Sequence, residues 1–502
     1  MKQAITLSFL ICAILQFANA QLLDTYDIST SPNGIITMPT GLPSAYSSFV
    51  KYTKIQAPNG QAIHFIAQNA ITEAQIVRAR NILQFYLTNV PDSQYGADKS
   101  AIINQMATNE AILMLLNGSD GDTNPPNVNA QPLYQNEMAV EGHTWYITND
   151  YDNHRDAAYE EILHMMHDMG IGVDGPNTFP GALPVYQTAI RAAQDNADNN
   201  NFSIWPIEAA TNPNWYNELA NENSLSQEYL AAVVDVYYGL WGAWSESTSL
   251  GMWGLYISKT RAEIETEDPM GWDLMPKYFS PFININMDID PSFNGTFTMA
   301  FDAEQLYTHK SQYLQHCTLT GTNSSNLKGN DEYNRLNGNA ANNELEGGKG
   351  NDRLDGKTGI DVAKFTGNQN EYTVTTQNTM TIITDNTNDR DGVDTLLNIE
   401  TIRYTDGDVN VMTSVHNISA DKVFNIFPNP ADSFLIVEWH PSNPIQSGGI
   451  KLYDHLGRVV EESTFETAIE NVRIDVHHLP LGNYTIQIIG NNESSSRKLV
   501  IQ

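Results

Sequence analysis

Two cysteines in 502 residues leave this chain almost no covalent means of holding itself together. Cys12 lies inside the leading apolar run, so Cys317 stands alone once that leader is removed, and no internal disulfide can form. An exported chain without disulfides needs another source of rigidity, and bound metal ions are the obvious one. Basic residues are scarce as well: 26 Lys and Arg face 59 Asp and Glu, a formal net charge of −33. That balance excludes nucleic acid and anionic membrane as main partners and favours cations or neutral and basic polymers. Long apolar runs are missing too. Beyond the leader, no stretch approaches the roughly 20 apolar residues that a membrane span needs.

What is present starts with that leader. Lys2, the apolar run Ala4 to Leu15, and Ala18-Asn19-Ala20 as a small-x-small cleavage site read as a secretory signal over residues 1–20. Lys54 to Ala57 and Ala62 to Ile66 flank Pro58-Asn59-Gly60 and predict a hairpin. Thr72-Glu73-Ala74-Gln75 is a capping-box start for a helix carried on by Ile76, Ala79, Leu83 and Tyr86. Ala101 to Leu116 reads as a further helix or strand. Asp120, Asp122 and Asn124 alternate like the start of a calcium loop, but Pro125 and Gln131 stand where an EF-hand needs glycine and glutamate, so a plain polar loop is expected. Glu141 to Asn149 reads as a strand. Leu225 to Trp244 reads as a long amphipathic helix, and the tryptophans from Trp241 to Trp272 read as core anchors rather than sugar platforms.

The most chemically loaded stretch is Asp156 to Gly170, D-A-A-Y-E-E-I-L-H-M-M-H-D-M-G. At helical spacing Glu160, His164 and His167 share one face, and Glu161, His164 and Asp168 an overlapping one. Such groups either pair in a half-buried polar cluster or hold a metal.

Composition changes abruptly at Gly321. Asn, Gly and Asp dominate to Lys364, and aliphatic residues thin to one position in nine: Leu327, Leu336, Leu345, Leu354, Ala363. Gly347 to Asp355 fits the nonapeptide G-G-x-G-x-D-x-U-x at every defined position. Here the chain resembles RTX (hemolysin-type) calcium-binding repeats. The resemblance implies Ca²⁺ held through Gly348, Gly350, Asp352 and Asp361. Asn334 and Asn343 replace the acid in two other rows, so one or two ions are expected, with a segment that cannot pack without them. Residues 371–411 alternate like strands that follow such repeats.

From about Asn417 the chain is all-β. Phe424-Asn-Ile-Phe-Pro-Asn-Pro430, Ile450 to Val460 with its L-G-R, Leu479-Pro-Leu-Gly-Asn-Tyr484 and Lys498 to Gln502 follow in order. This set resembles the type IX secretion sorting domain, which implies the type IX machinery as partner and a secreted or cell-surface destination. His477 and His478 within it read as surface residues.

The helix before Gly170 resembles zincin metallopeptidases, whose H-E-x-x-H motif places two ligands one turn apart. Glu160 stands where the first histidine belongs. Glu161 keeps the place of the general base and His164 that of the second ligand. Gln227 to Ala232 is similar to the glutamate-bearing helix of lethal-factor-like peptidases, with Glu228 as third ligand. The resemblance implies a Zn²⁺ or other divalent transition metal on Glu160, His164 and Glu228, with His167 as a replacement ligand. Tyr229 or His143 would steady an oxyanion. Two carboxylates make the set harder than the usual zinc site, so manganese, iron or calcium would compete.

The expected fold is multidomain. A signal (1–20) precedes an α+β zincin-like domain (21–317). A short parallel RTX-like β-roll with a following β segment (318–415) leads to a C-terminal β-sandwich sorting domain (416–502). The expected function is a secreted metal-dependent hydrolase acting on an extracellular peptide or polymer. The alternative is a non-catalytic surface adhesin or polymer-binding protein with a degenerate peptidase domain.

Overall fold

The computed structural model describes residues 23–121, 125–148, 156–176, 178–199, 201–377, 380–411, 424–439, 448–454, 458–465, 471–490 and 493–502. The signal, Asp122 to Asn124 of the calcium-like loop and the 416 boundary lie outside these. Among the described residues, no helix is long and apolar enough to cross a membrane.

The first unit is a five-stranded sheet of β1 (Ile36–Thr37), β2 (Lys51–Gln56), β3 (Ala62–Ala67), β4 (Ile112–Leu116) and β5 (Gln131–Tyr134), in that order. The first three strands are antiparallel, with the predicted hairpin joining β2 and β3, and β4 and β5 are parallel to β3. Both faces are covered. Ile63, Phe65 and Leu113 join the main core, while Tyr52, Ile66, Ile112 and Met114 pack with Leu23, Tyr46 and Phe49. Against the main-core face lies α1 (Glu73–Leu87), with the expected capping box on Thr72 and Gln75. Residues 101–116 split into α2 (Ser100–Thr108) and β4.

The strand expected over 141–149 does not form. Polar–apolar alternation there is ambiguous, and tertiary contacts decide it. His143 N closes a turn onto Val140 O, and α3 (Thr144–Thr148) follows. Glu141 is held by Arg78. The edge strand is instead β5, where Pro132 is tolerated because an edge need not donate on both sides.

Next come α4 (Ala158–Met166), α5 (Pro184–Asn199), α6 (Leu225–Tyr237) and α7 (Pro269–Tyr278). Two predicted helices end early. The one from Asp156 widens after Met166 into a π-type turn, His167–Gly172. The backbone of 181–183 lies against that turn, and a Cβ at Gly181 would meet Gly172 Cα and Ile171 O at 2.3 Å. Gly181→Ala should therefore destabilise the chain by about 1–3 kcal/mol, read as a lowered urea midpoint with unchanged slope. The helix from Leu225 stops at Tyr237 because Gly239 adopts φ +71 and its backbone closes onto His309 O.

The repeats wind into two parallel sheets with an 18-residue pitch. The inner positions form two ladders. One runs Met287, Cys317, Leu336, Leu354, Leu396. The other runs Phe297, Leu327, Leu345, Ala363, Ile402. Cys317 thus fills a leucine slot as a small buried hydrophobe. The coil begins before residue 318, in β6 (Ile283–Ile289), β7 (Thr296–Thr298) and β8 (Leu314–Leu319). It continues through β9 (Asn326–Lys328), β10 (Arg335–Asn337), β11 (Glu344–Glu346), β12 (Arg353–Asp355) and β13 (Val362–Lys364). The β segment expected over 371–411 closes it as β14 (Tyr372–Gln377), β15 (Met380–Asp385), β16 (Val393–Leu397), β17 (Thr401–Tyr404) and β18 (Gly407–Asn410). Helices and coil share one apolar core. Residues 424–501 form three- and four-stranded antiparallel sheets around a core of their own.

Candidate metal centres

Helix α4 starts from a clamp. Buried Arg78 donates from Nε to Glu141 (3.0 and 3.1 Å) and from both terminal nitrogens to Asp156 (3.0 and 3.1 Å). Ala157 N donates to Glu137 O, which fixes the first turn beside β5. Ile162, Leu163, Met165 and Met166 are buried, and the helix packs against α1, α6 and β5.

Glu160, His164 and, from α6, Glu228 come together with their ligand atoms within 4.8 Å of one another. His164 Nε2 lies 3.7 Å from Glu228 Oε1, and His164 Nδ1 lies 3.7 Å from Glu161 Oε2. Glu161 also accepts from Gln131 Nε2 on β5 at 2.8 Å. His164 Nε2 is buried and makes no hydrogen bond. Burial alone would keep the imidazole neutral, but Glu228, then Glu161 and Glu160, raise its pKa to about 10. The three carboxylates therefore hold the buried imidazole in its protonated form at neutral pH.

Three other expected site residues go elsewhere. His167, the first residue of the π-type turn, is committed to a partner on another helix. Its Nε2 donates to Gln187 Oε1 at 2.6 Å, and burial lowers its pKa to about 4. Tyr229 is wholly buried, and its hydroxyl donates to Asp268 Oδ2 at 2.6 Å, alongside Tyr256 at 2.9 Å. The phenol is therefore turned to holding α7, whose Gly271 N Asp268 also caps. His143 accepts from Trp145 N and lines a groove of about 350 Å³ with Gln75, Trp145 and Asp290. A second grouping, Asp475, His477 and His478, is exposed on the C-terminal unit, with its imidazoles paired to Asp475 and Glu461.

The coil offers a different chemistry at its turns. Asp352 and Asp361 are 2% and 0% exposed. In each, Oδ1 accepts a backbone N–H of the preceding turn, from Asn334 and Asn343 respectively, at 2.7 Å. In each, Oδ2 has no hydrogen-bond partner. A Cβ would fall 2.2 Å from Asp352 Oδ2 if added at Gly347 and 2.5 Å from Asp361 Oδ2 if added at Gly356. Gly348 and Gly350 adopt φ +95 and +112 and press against Asn330 O and Glu332 O, an approach only glycine permits. Burial raises both aspartates to about 7. Asp394, which accepts from Asp352 N, is raised to about 9 by burial and then by Asp352. Glu400 plays the same part for Asp361 N. Neither partner was foreseeable from spacing, lying 42 and 39 residues on.

No curated protein matches the chain. Two solved structures show local likeness. One is a Bacteroides vulgatus protein with an immunoglobulin-like β-sandwich fold, 18% identical, covering 16% of this chain and 85% of that one at a TM-score of 0.13. The other is the extracellular lipase LipA from Serratia marcescens, 17% identical, covering 19% of this chain and 18% of that one at 0.12. Both scores are too low to bear on fold or function. Residues 425–502 match the family described as secretion system C-terminal sorting domain. That tail is a type IX sorting signal, and it directs the chain to the cell surface or the medium.

Proposed function

We propose that this exported chain is a metal-dependent hydrolase of the peptidase type, carried with an RTX-like calcium-ordered roll. The carrying observation is the buried, unbonded His164 Nε2 facing Glu228, with Glu160 completing a three-donor set. The residues fit a divalent cation. Glu161 beside Nδ1 favours the tautomer that leaves Nε2 free to ligate. Zn²⁺ suits the imidazole, and Mn²⁺ or Fe²⁺ suits two carboxylates. When bound, such an ion supplies Lewis acidity and lowers the pKa of water. Glu161, anchored by Gln131, would serve as the general base that takes a proton from water and returns it to the leaving amine. In the roll, Asp352 and Asp361 with nearby backbone carbonyls of the Gly348–Gly350 turn supply hard oxygens for Ca²⁺. The substrate class is an extracellular peptide or polymer.

Elemental analysis of the purified mature protein tests the centre. One transition metal per chain is expected, lost in His164→Ala. Because a proton on His164 competes with the ion and the metal-free pKa is about 10, affinity should fall about tenfold per pH unit from pH 9 to pH 6. Glu161→Gln should keep the metal and lose roughly 10²-fold or more in peptide turnover. A metal content indifferent to His164→Ala ends the proposal. One pair of observations favours a second reading, a non-catalytic adhesin or polymer-binding protein. Glu160 occupies the first-histidine place of the zincin motif, and the Tyr229 phenol is committed to Asp268. On that reading metal binds but no peptide pool is cleaved.

A further inference from the structure

Four turns of the roll repeat one geometry, but they are satisfied in two ways. In the turns ending at Asp352 and Asp361 a buried carboxylate oxygen is left without a partner. In the turns ending at Asn334 and Asn343 nothing comparable is left over. Asn334 Nδ2 donates to Asn330 Oδ1 at 2.9 Å and to Gln315 O at 3.3 Å. Asn330 Nδ2 donates in turn to Gln312 O and Leu314 O at 3.0 and 2.8 Å. The opposite side repeats this. Asn343 Nδ2 donates to Asn339 Oδ1 at 3.1 Å and Ser325 O at 2.7 Å, and Asn339 Nδ2 to Asn323 O at 2.9 Å. Both side-chain oxygens also accept: Asn334 Oδ1 from Asn330 N and Asn343 Oδ1 from Asn339 N, each at 2.8 Å.

An 18-residue shift superimposes Asn330 on Gly348, Glu332 on Gly350 and Asn334 on Asp352. Thus an amide pair stands in one turn where glycine and an acid stand in the next, and on the opposite side the same shift sets Lys357 and Asp361 in the places of Asn339 and Asn343. A carboxamide N–H₂ is a neutral group carrying positive hydrogens toward carbonyl oxygens. It does for the preceding turn's carbonyls what a cation does, without needing a counter-charge.

Resting on the calcium reading of Asp352 and Asp361, we infer that the roll is built in two halves. Its first two turns, next to the helical domain, hold themselves by asparagine pairs and take no ion. Its last two turns take one Ca²⁺ each. The first half is a preformed template, and calcium locks only the far end onto it, where Asp352 N and Asp361 N reach Asp394 and Glu400. Calcium therefore controls the end of the roll nearest the sorting tail in sequence and leaves the helical domain's junction intact.

Calcium titration calorimetry of the purified full chain, with limited proteolysis in chelator, tests this. The wild type should bind two ions, and Asp352→Asn should bind one. The triple variant Asn330→Gly, Glu332→Gly, Asn334→Asp, which grafts the ion turn onto an amide turn, should bind three. In chelator, cuts should map to residues 347–411 while 283–345 stays protected. Four ions in the wild type, or protease cuts spread evenly over 283–411 in chelator, overturn the inference. So does a folded triple variant that still binds two. If the triple variant fails to fold, the wild-type count and the cleavage map decide alone. A wild type that binds no calcium sinks the calcium reading itself, a result distinct from a wrong count.

Discussion

Chelating calcium at pH 8 should destabilise the roll by several kcal/mol, and the same chelation at pH 5 should cost far less. The sign follows from the aspartates. Asp352 and Asp361 are raised by burial to about 7 and Asp394 to about 9, each above the ordinary 3.8. A carboxyl whose folded pKa is raised contributes stability that is fully present below its unfolded pKa and is lost as pH rises through the folded value. For the ion-free roll that window runs from about pH 4 to pH 9. At about 1.4 kcal/mol per pKa unit, ionising Asp352 alone costs the ion-free fold about 4 kcal/mol above pH 7, and less than half of that at pH 5. With Ca²⁺ bound, the ion replaces the missing proton as counter-charge and the penalty vanishes. Calorimetric scans with and without chelator at the two pH values check this. The C-terminal unit, with its separate core, serves as an internal control whose midpoint should not move. Equal chelator shifts at pH 5 and pH 8 would show that these carboxylates are not where the ion sits.

How much of this could be read from residues alone depends on whether the signal was local. The leucines at nine-residue spacing all turned inward, Leu327 to Leu354 being at most 1% exposed, because a coil with two short strands per turn admits only that register. The start of the coil was not legible. I-N-I-N-M-D-I and L-Q-H-C-T-L carry no glycine–aspartate signature, and they enter the roll only because Met287 and Cys317 continue the ladder of Leu336. The asparagine pairs in the turns ending at Asn334 and Asn343 are equally illegible to an expectation built on charge repulsion. Counting charges and chain entropy leaves out what a carboxamide can donate.

Helix α4 was legible to the same limited depth. A regular 3.6-residue period brings Glu160 and His164 together, and so it does. The same period puts His167 beside them, and its hydrogen bond to Gln187, 20 residues on, takes it elsewhere. That partner lies on α5, outside the helix, and no periodicity encodes it. Tyr229 fails for a similar reason, since its partner Asp268 is 39 residues away. Proximity of Glu228 to His164 came from a motif resemblance, not from helix geometry.

Replacing Arg78 by methionine should cost about 3–5 kcal/mol and weaken the metal centre without touching it. Arg78 is 3% exposed and faces two carboxylates, Glu141 at 1% and Asp156 at 8%. Deleting the guanidinium removes the hydrogen-bond partner of both buried acids and leaves them only the field of buried Lys310, and that penalty, rather than the lost attraction, sets the size of the effect. Asp156 immediately precedes α4, so its displacement should loosen the turn that carries Glu160 and lower metal affinity as well as the urea midpoint. Arg78→Lys keeps the charge but cannot serve two carboxylates with a planar fork, so it should fall between the two. Acidification should partly rescue Arg78→Met, because burial already raises Glu141 above its ordinary value and protonation relieves the stranded charge. Replacing all three groups with apolar residues of similar volume should recover most of the stability while leaving metal affinity reduced, since helix α4 would have lost its anchor. An Arg78→Met protein within about 1 kcal/mol of the wild type would mean that Ala157 N–H to Glu137 O and the packing of Ile162 and Leu163 suffice to seat the metal helix.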